Sequence, residues 1–172
     1  MTVLCDWEIR ERCEQRQMVV PFNAEMLNPA SIDVVLGNFL MVETIYQKGL
    51  LRIEISKATE DDPFVLLPGN FCLAETSEIF NLPDDISAQF VLKSSRAREG
   101  YNHLLAGWCD PGWHGSRLTL ELKNETKYMD LPLYPGLKIG QIVFHKMNGI
   151  PQATYATTGN YNNHLTVTPS VV

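Results

Sequence analysis

A chain of 172 residues, 45% of them hydrophobic and 20% charged, has room for one globular domain with its own core and not for a second. Its net charge of −6 and pI near 5.2 exclude the global positive field that holds a nucleic-acid polymer by counterion release, but not a small anion bound by a few converging cations and N–H groups. The 11 Gly and 10 Pro are scattered, no apolar run reaches bilayer length, and the four acids between Met1 and Arg16 are unlike a signal peptide; no membrane partner and a cytoplasmic location are expected.

Asp6 to Gln17 reads as the one convincing helix, with Asp6 as its cap, Trp7, Ile9 and Cys13 at apolar positions, and Val19-Val20-Pro21 ending the pattern. After it the chain turns to short β-rich runs: Ile32 to Leu36, Phe39 to Tyr46, Leu51 to Ile55, Phe64 to Leu67, Phe71 to Glu75, Ala88 to Leu92, Leu118 to Leu122 and Ile139 to Phe144. Turn signals separate them, among them Gly37-Asn38, Pro68-Gly69, Pro111-Gly112 and Pro135-Gly136. This spacing predicts a mainly β fold, a distorted antiparallel barrel or sandwich with a short N-terminal helix, and a helical turn over Arg96 to Gly100. The whole chain, 1–172, reads as a single domain. Its polar end, Thr154 to Val172, is either an untethered tail or a segment that orders over a ligand. Cys5, Cys13, Cys72 and Cys109 form no CxxC pair, so four reduced and mostly packed thiols are expected.

Reactive side chains concentrate between Phe90 and Asn124. Lys93, Ser94, Ser95 and Arg98 place two hydroxyls and two cations at the end of an apolar strand, an arrangement that converges on phosphate; a capped turn with solvated cations explains the same residues. Ala106 to Gly115 is a glycine-rich hairpin with Asp110 at its bend, where Asp before Pro-Gly also serves as a turn former. In the next strand Leu118, Leu120 and Leu122 share one face, and Thr119, Glu121 and Lys123 share the other. Glu121 then points either to solvent or into a cleft between subunits. No His/Cys-Glu with Pro-Cys-x-x-Cys pair is present to hold a deaminase zinc, and there is no P-loop, dinucleotide fingerprint or GxSxG elbow. His103, His114, His145 and His164 lack ligand spacing and read as surface or turn residues.

Six ordered segments nevertheless resemble one family: Asn28 to Asn38, Pro68 to Phe71, Lys93 to Gly100, Ala106 to Gly115, Leu118 to Asn124 and Pro135 to Gln141. They look like the dCTP deaminase family, whose fold is shared with the trimeric dUTPases. The resemblance implies a dUTPase-like barrel in a homotrimer, active sites at subunit interfaces, and dCTP, with dUTP or dTTP as further ligands, bound with Mg²⁺ through the triphosphate and without zinc. It makes Glu121 the proton shuttle, with Ser94 and Arg98 orienting it and the attacking water. Leu104 and Ala106 then belong to the hairpin that reads the pyrimidine edge, Trp113 packs on the deoxyribose, and Lys93, Ser95 and Gln141 contact the triphosphate. Tyr161 survives from a C-terminal segment that folds over the phosphates, although the lysine and glutamine usual there are absent from Asn160 to His164.

Gly107-Trp108-Cys109-Asp110 is similar to the pattern of bifunctional members, in which Asp110 activates a water against the α-phosphate and dUMP and diphosphate are formed. The altered Asn160 to His164 segment leans the other way, because it lacks groups that would neutralise a departing diphosphate. The expected reaction is therefore deamination of dCTP with dUTP as the main product. The bifunctional reaction and a non-catalytic nucleotide sensor are the alternatives.

Overall fold

The computed structural model describes residues 2–171; residues 1 and 172 of the expected domain lie outside the described residues. In chain order the elements are β1 (Thr2–Val3), α1 (Asp6–Arg16), β2 (Val19–Val20), a 3-10 turn (Ala24–Met26), β3 (Leu27–Asn28), β4 (Ser31–Glu43), β5 (Leu50–Glu54), β6 (Phe64–Leu66), β7 (Phe71–Asn81), β8 (Ile86–Leu92), α2 (Ser94–Glu99), β9 (Tyr101–Asn102), β10 (Trp108–Cys109), β11 (His114–Asn124), β12 (Leu131–Leu133), β13 (Lys138–Lys146) and α3 (Tyr155–Thr158). Among the described residues eleven strands join one antiparallel sheet, whose main path runs β10-β8-β13-β4-β7-β11-β9. The sheet curls into a half-barrel, the mainly β architecture the turn spacing predicts. β6 and β12 pair separately.

Period-2 alternation builds the core. Val34, Leu36 and Leu40 of β4, Cys72, Ala74 and Phe80 of β7, Leu120 and Leu122 of β11 and Ile142 and Phe144 of β13 are all buried in one cluster. Burying one such large side chain contributes about 1.5–3 kcal/mol, so this shared face holds the strands in register. Gly37-Asn38, expected as a turn, lies inside β4 and makes the two predicted strands one. A Cβ on Gly37 would stand 2.7 Å from Cγ of Glu75, and the β4–β7 register shifts between Leu36 and Leu40. The glycine therefore admits a close approach at a bulge.

The helix is where the sequence predicts, but its cap is Cys5 and not Asp6: Glu8 reaches back and accepts from the Cys5 N–H at 3.0 Å and its thiol at 3.3 Å. Trp7, expected on the apolar side, is 64% exposed, and Ile9 and Cys13 alone of the three are buried. Arg12 donates to both carboxylate oxygens of Asp85 at 3.3 and 3.0 Å, tying α1 to the turn between β7 and β8.

The C-terminal segment is strapped along β11. Asn163 N–H donates to the His114 carbonyl at 3.0 Å, Arg117 N–H to the His164 carbonyl at 2.9 Å, and Thr168 N–H to Thr119 Oγ1 at 3.2 Å. Farther along the strap, the Val167 N–H and the Thr166 hydroxyl both donate to Oε2 of buried Glu75, at 2.7 and 3.0 Å. Val167 is buried, so this polar stretch does contribute an anchor to the core.

Candidate active site

The strap and the outer side of β11 enclose a cavity of about 450 Å³. Leu118, Thr119 and Glu121 rise from β11, Trp108 and Cys109 from β10, Asp110 and Trp113 from the bend, and Tyr155, Tyr161, His164 and Thr168 from the strap. Thr119 and Glu121 face the cavity together because they are two residues apart on one strand while Leu120 and Leu122 are buried on the other face. Within its own chain Glu121 thus faces this cavity, with its side chain 28% exposed.

Beneath Glu121 lies His103. Its Nε2 stands 3.3 Å from Oε2 of Glu121, and the two side chains are 6% and 28% exposed. The alignment is wrong for a hydrogen bond, and neither atom has a hydrogen-bond partner among the described residues. The ring of His103 packs on Phe90 with centroids 4.4 Å apart. His103 is therefore a buried neighbour of the carboxylate and not the surface or turn residue its sequence context suggests. His164 departs from the same expectation by lining the cavity, with Nδ1 3.0 Å from the Thr168 hydroxyl. His145 is half-buried and stacks on Trp108, centroids 5.8 Å apart. Only His114 keeps a turn role, its Nδ1 2.8 Å from the Gly112 carbonyl.

Asp110 shares the cavity with Glu121, and one of its oxygens accepts the indole N–H of Trp108 at 2.9 Å. Cys109, between Trp108 and Asp110, is buried against the core and reaches the cavity only as part of its wall. Burial, reinforced by the charges of Asp110 and Glu121, pushes its thiol up to about 12, so it stays neutral beside the site. Trp113 reaches the cavity but is buried; it stacks on Phe80 at 5.6 Å and donates its indole N–H to the Tyr161 carbonyl at 2.9 Å. Ala106 is at the cavity wall, while Leu104, with a left-handed φ of 30°, is half-exposed and outside it. Tyr161 lines the cavity and its hydroxyl accepts from Val171 N–H at 3.3 Å.

The other expected site residues form a second group that does not line the cavity. Ser94 and Ser95 open α2, and they and Arg98 are exposed. Lys93, just before α2, is ion-paired: its ammonium donates to both oxygens of buried Asp33 at 2.8 and 2.7 Å. Asn28 donates to the same carboxylate at 2.8 Å, and Lys138 stands 3.8 Å away. Gln141 lies one strand over and accepts from the Ser31 hydroxyl at 2.9 Å. The residues that sequence reasoning passed over are His103, Trp108, Arg117, Thr119, Tyr155, His164 and Asp33. Of these Thr119 had a signal in its shared face with Glu121, and Trp108 in the Gly107-Trp108-Cys109-Asp110 pattern around Asp110. Arg117 fastens β11 to its neighbours, donating to the Thr76 carbonyl at 3.0 Å and the Leu165 carbonyl at 3.0 Å.

The fold is that of a solved 2′-deoxycytidine 5′-triphosphate deaminase from Agrobacterium tumefaciens: the TM-score is 0.68 at 21% identity, over 84% of this chain. The chain spans 47% of that longer one. The family model described as dCTP deaminase-like matches residues 3–147. Among its relatives, proteins named "dCTP deaminase, dUMP-forming" from Methanopyrus kandleri and Acidothermus cellulolyticus are 37% and 35% identical, over 186 and 183 residues. These alignments cover 99% and 98% of this chain and 95% and 94% of the relatives. The chain belongs to the dCTP deaminase-like family.

Proposed function

We propose that the protein deaminates dCTP and carries the product on to dUMP and diphosphate. The observation that supports both steps is that two carboxylates, Glu121 and Asp110, face one cavity closed by the C-terminal strap. In the first step water adds to C4 of the cytosine ring while Glu121 takes a proton from that water and delivers it to ring N3; the C4 hydroxyl proton then passes through Glu121 to the amino group, the C4–N bond breaks, ammonia leaves and C4 becomes a carbonyl. In the second, water attacks the α-phosphorus and the bond to the bridging oxygen of the β-phosphate breaks. Asp110 accepts the proton from the water, and diphosphate departs. Mg²⁺ enters bound to the triphosphate as part of the substrate.

Ending at dUTP is favoured by the absence of the lysine and glutamine between Asn160 and His164. Full-length relatives named as dUMP-forming weigh on the other side, and so does the position of Asp110 in the same cavity as Glu121. Ser94 and Arg98, outside the cavity in their own subunit, serve as the orienting residues for Glu121 of a second copy, in a homotrimer with shared sites. A cytoplasmic location fits a nucleotide substrate, and among the described residues no helix is long and apolar enough to cross a membrane.

The test is incubation of the protein with Mg²⁺ and either dCTP or dUTP, following ammonia, dUTP, dUMP and diphosphate. Ammonia and dUMP from dCTP, and dUMP from dUTP, are expected. Ammonia with accumulating dUTP would overturn the second step, and no ammonia would overturn the first.

A further inference from the structure

Trp108 is 51% exposed at the cavity rim, an unusual position for an indole whose N–H is already taken. Trp108 ends on the exposed side of β10 and Asp110 follows directly after the strand, with buried Cys109 between them. Two contacts then hold the ring. Its face stacks on His145 of β13, 5.8 Å away and tilted by 23°, and its Nε1–H donates to Oδ1 of Asp110 at 2.9 Å. Behind it, Gly107 is pressed on the backbone of β8: a Cβ there would meet the Phe90 carbonyl at 2.5 Å, so the approach of β10 to β8 leaves little play.

We propose that Trp108 is a positioning residue for dUMP formation, its indole fixing the Asp110 carboxylate in the orientation that takes the proton from the attacking water. The inference rests on the role given to Asp110 above. A carboxylate on a single aspartate side chain rotates about its last torsion with little resistance, because such sp³–sp² torsions are broad. A donor on one oxygen removes that freedom and leaves Oδ2 for the water. Proton transfer from the water requires the carboxylate within hydrogen-bond reach as the α-phosphorus is attacked, so a turned carboxylate slows the step even with nucleotide fully bound. The stack on His145 matters because it fixes the donor itself. An aromatic without an N–H covers most of the same space but leaves Asp110 to rotate.

The experiment compares Trp108→Phe and Asp110→Asn with the unaltered protein, measuring dUMP formation from dUTP and ammonia release from dCTP on the same preparations. Trp108→Phe keeps an aromatic ring against His145 and loses the donor together with part of the indole's area. Its kcat for dUMP formation should fall by about tenfold with KM for dUTP changed by less than about threefold, and dUMP formation should fall several times more than ammonia release. Trp108→Ala, which removes the wall as well, should add a rise in KM. A parallel fall in both reactions in Trp108→Phe would reduce Trp108 to a cavity wall and overturn the proposal, as would unchanged dUMP formation. Asp110→Asn separates the two ideas: if it abolishes dUMP formation while Trp108→Phe does not alter it, the role of Asp110 stands and the indole's does not. If Asp110→Asn forms dUMP normally, the role of Asp110 fails, and with it any positioning through it.

Discussion

In the proposed reaction Glu121 is the side chain on which deamination turns. Its carboxylate faces the cavity over a buried imidazole, so an amide in its place keeps the shape and cannot shuttle a proton. Glu121→Gln should lower ammonia release by about 10²–10⁴-fold while dCTP still binds, as titration calorimetry would register. Turnover close to that of the unaltered protein would remove Glu121 from the mechanism. A second acid, Glu78, lies outside the cavity and makes a different prediction. Burial pushes its carboxyl up to about 7, against smaller opposing effects of the backbone N–H groups of Glu78 and Val35 and the charge of Arg117. An acid whose folded-state value is raised binds more protons folded than unfolded, so it weakens the fold as pH rises from the ordinary carboxyl range to about 7, and the loss levels off above that. The shift corresponds to a contribution on the order of 3 kcal/mol between those limits. Glu78→Gln removes the titration while retaining an acceptor for Val35 N–H. Urea unfolding at pH 5 and pH 8 should show the variant losing less stability between the two than the unaltered chain. Equal losses in both would place the pH dependence elsewhere.

The strap is the element that turns one side of β11 into an enclosed site. Tyr161, His164, Thr168, Pro169 and Ser170 all line the cavity, and the Tyr161 carbonyl receives both the Trp113 indole and the Ser116 hydroxyl, at 2.9 and 2.8 Å. Ending the chain after Asn160 removes that wall but leaves the eleven-stranded sheet its pairings. Far-UV circular dichroism should keep its β signature, while KM for dCTP rises by about tenfold or more. Glu75 is the strap's deep anchor. Glu75→Ala strands the N–H groups of Val167 and Asn38, at a cost of about 1–3 kcal/mol, and should make the last residues the first site of limited proteolysis. A strap as protease-resistant as before would show that the contacts along β11 suffice.

For the whole molecule the division of residues is decisive. Glu121 lies in the cavity, whereas Ser94 and Arg98 are exposed on α2 outside it. If one subunit supplies the carboxylate and its neighbour supplies Ser94 and Arg98, two inactive variants can repair each other. Glu121→Gln and Arg98→Ala, unfolded and refolded together in equal amounts, should recover roughly a quarter of full ammonia release, since random trimers leave that share of sites with both residues intact. Neither variant alone should recover any. Light scattering on the unaltered protein should give the mass of three subunits. A mixture as inactive as its components would mean that each site is built within one subunit.

Much of this was legible in local pattern. Alternation of Leu120 and Leu122 against Thr119 and Glu121 is a two-residue period, visible without a partner strand, and it places Glu121 off the core face; Leu118, beside the register shift between Arg117 and Thr119, breaks the expected alternation and lines the cavity. The Asp6 to Arg16 helix and the succession of short strands also follow from residue types and spacings, whereas Glu121 and Asp110 stand out as candidates through the family resemblance. What the pattern does not contain is which strands lie side by side. Gly37 reads as a turn until Glu75 of β7 is placed against it, and Lys93 reads as a free cation until β4 brings up Asp33. His103 reads as a surface residue until β11 sets Glu121 over it. The polar C-terminus reads as loose until Glu75, some ninety positions earlier, accepts the Thr166 hydroxyl and the Val167 N–H. Each of these partners is remote in sequence, and their meeting is fixed by sheet register, which depends on the burial of all the strands at once. Backbone period and side-chain type are local properties of a chain; neighbourhood across a curled sheet is collective, and the cavity exists only in the second.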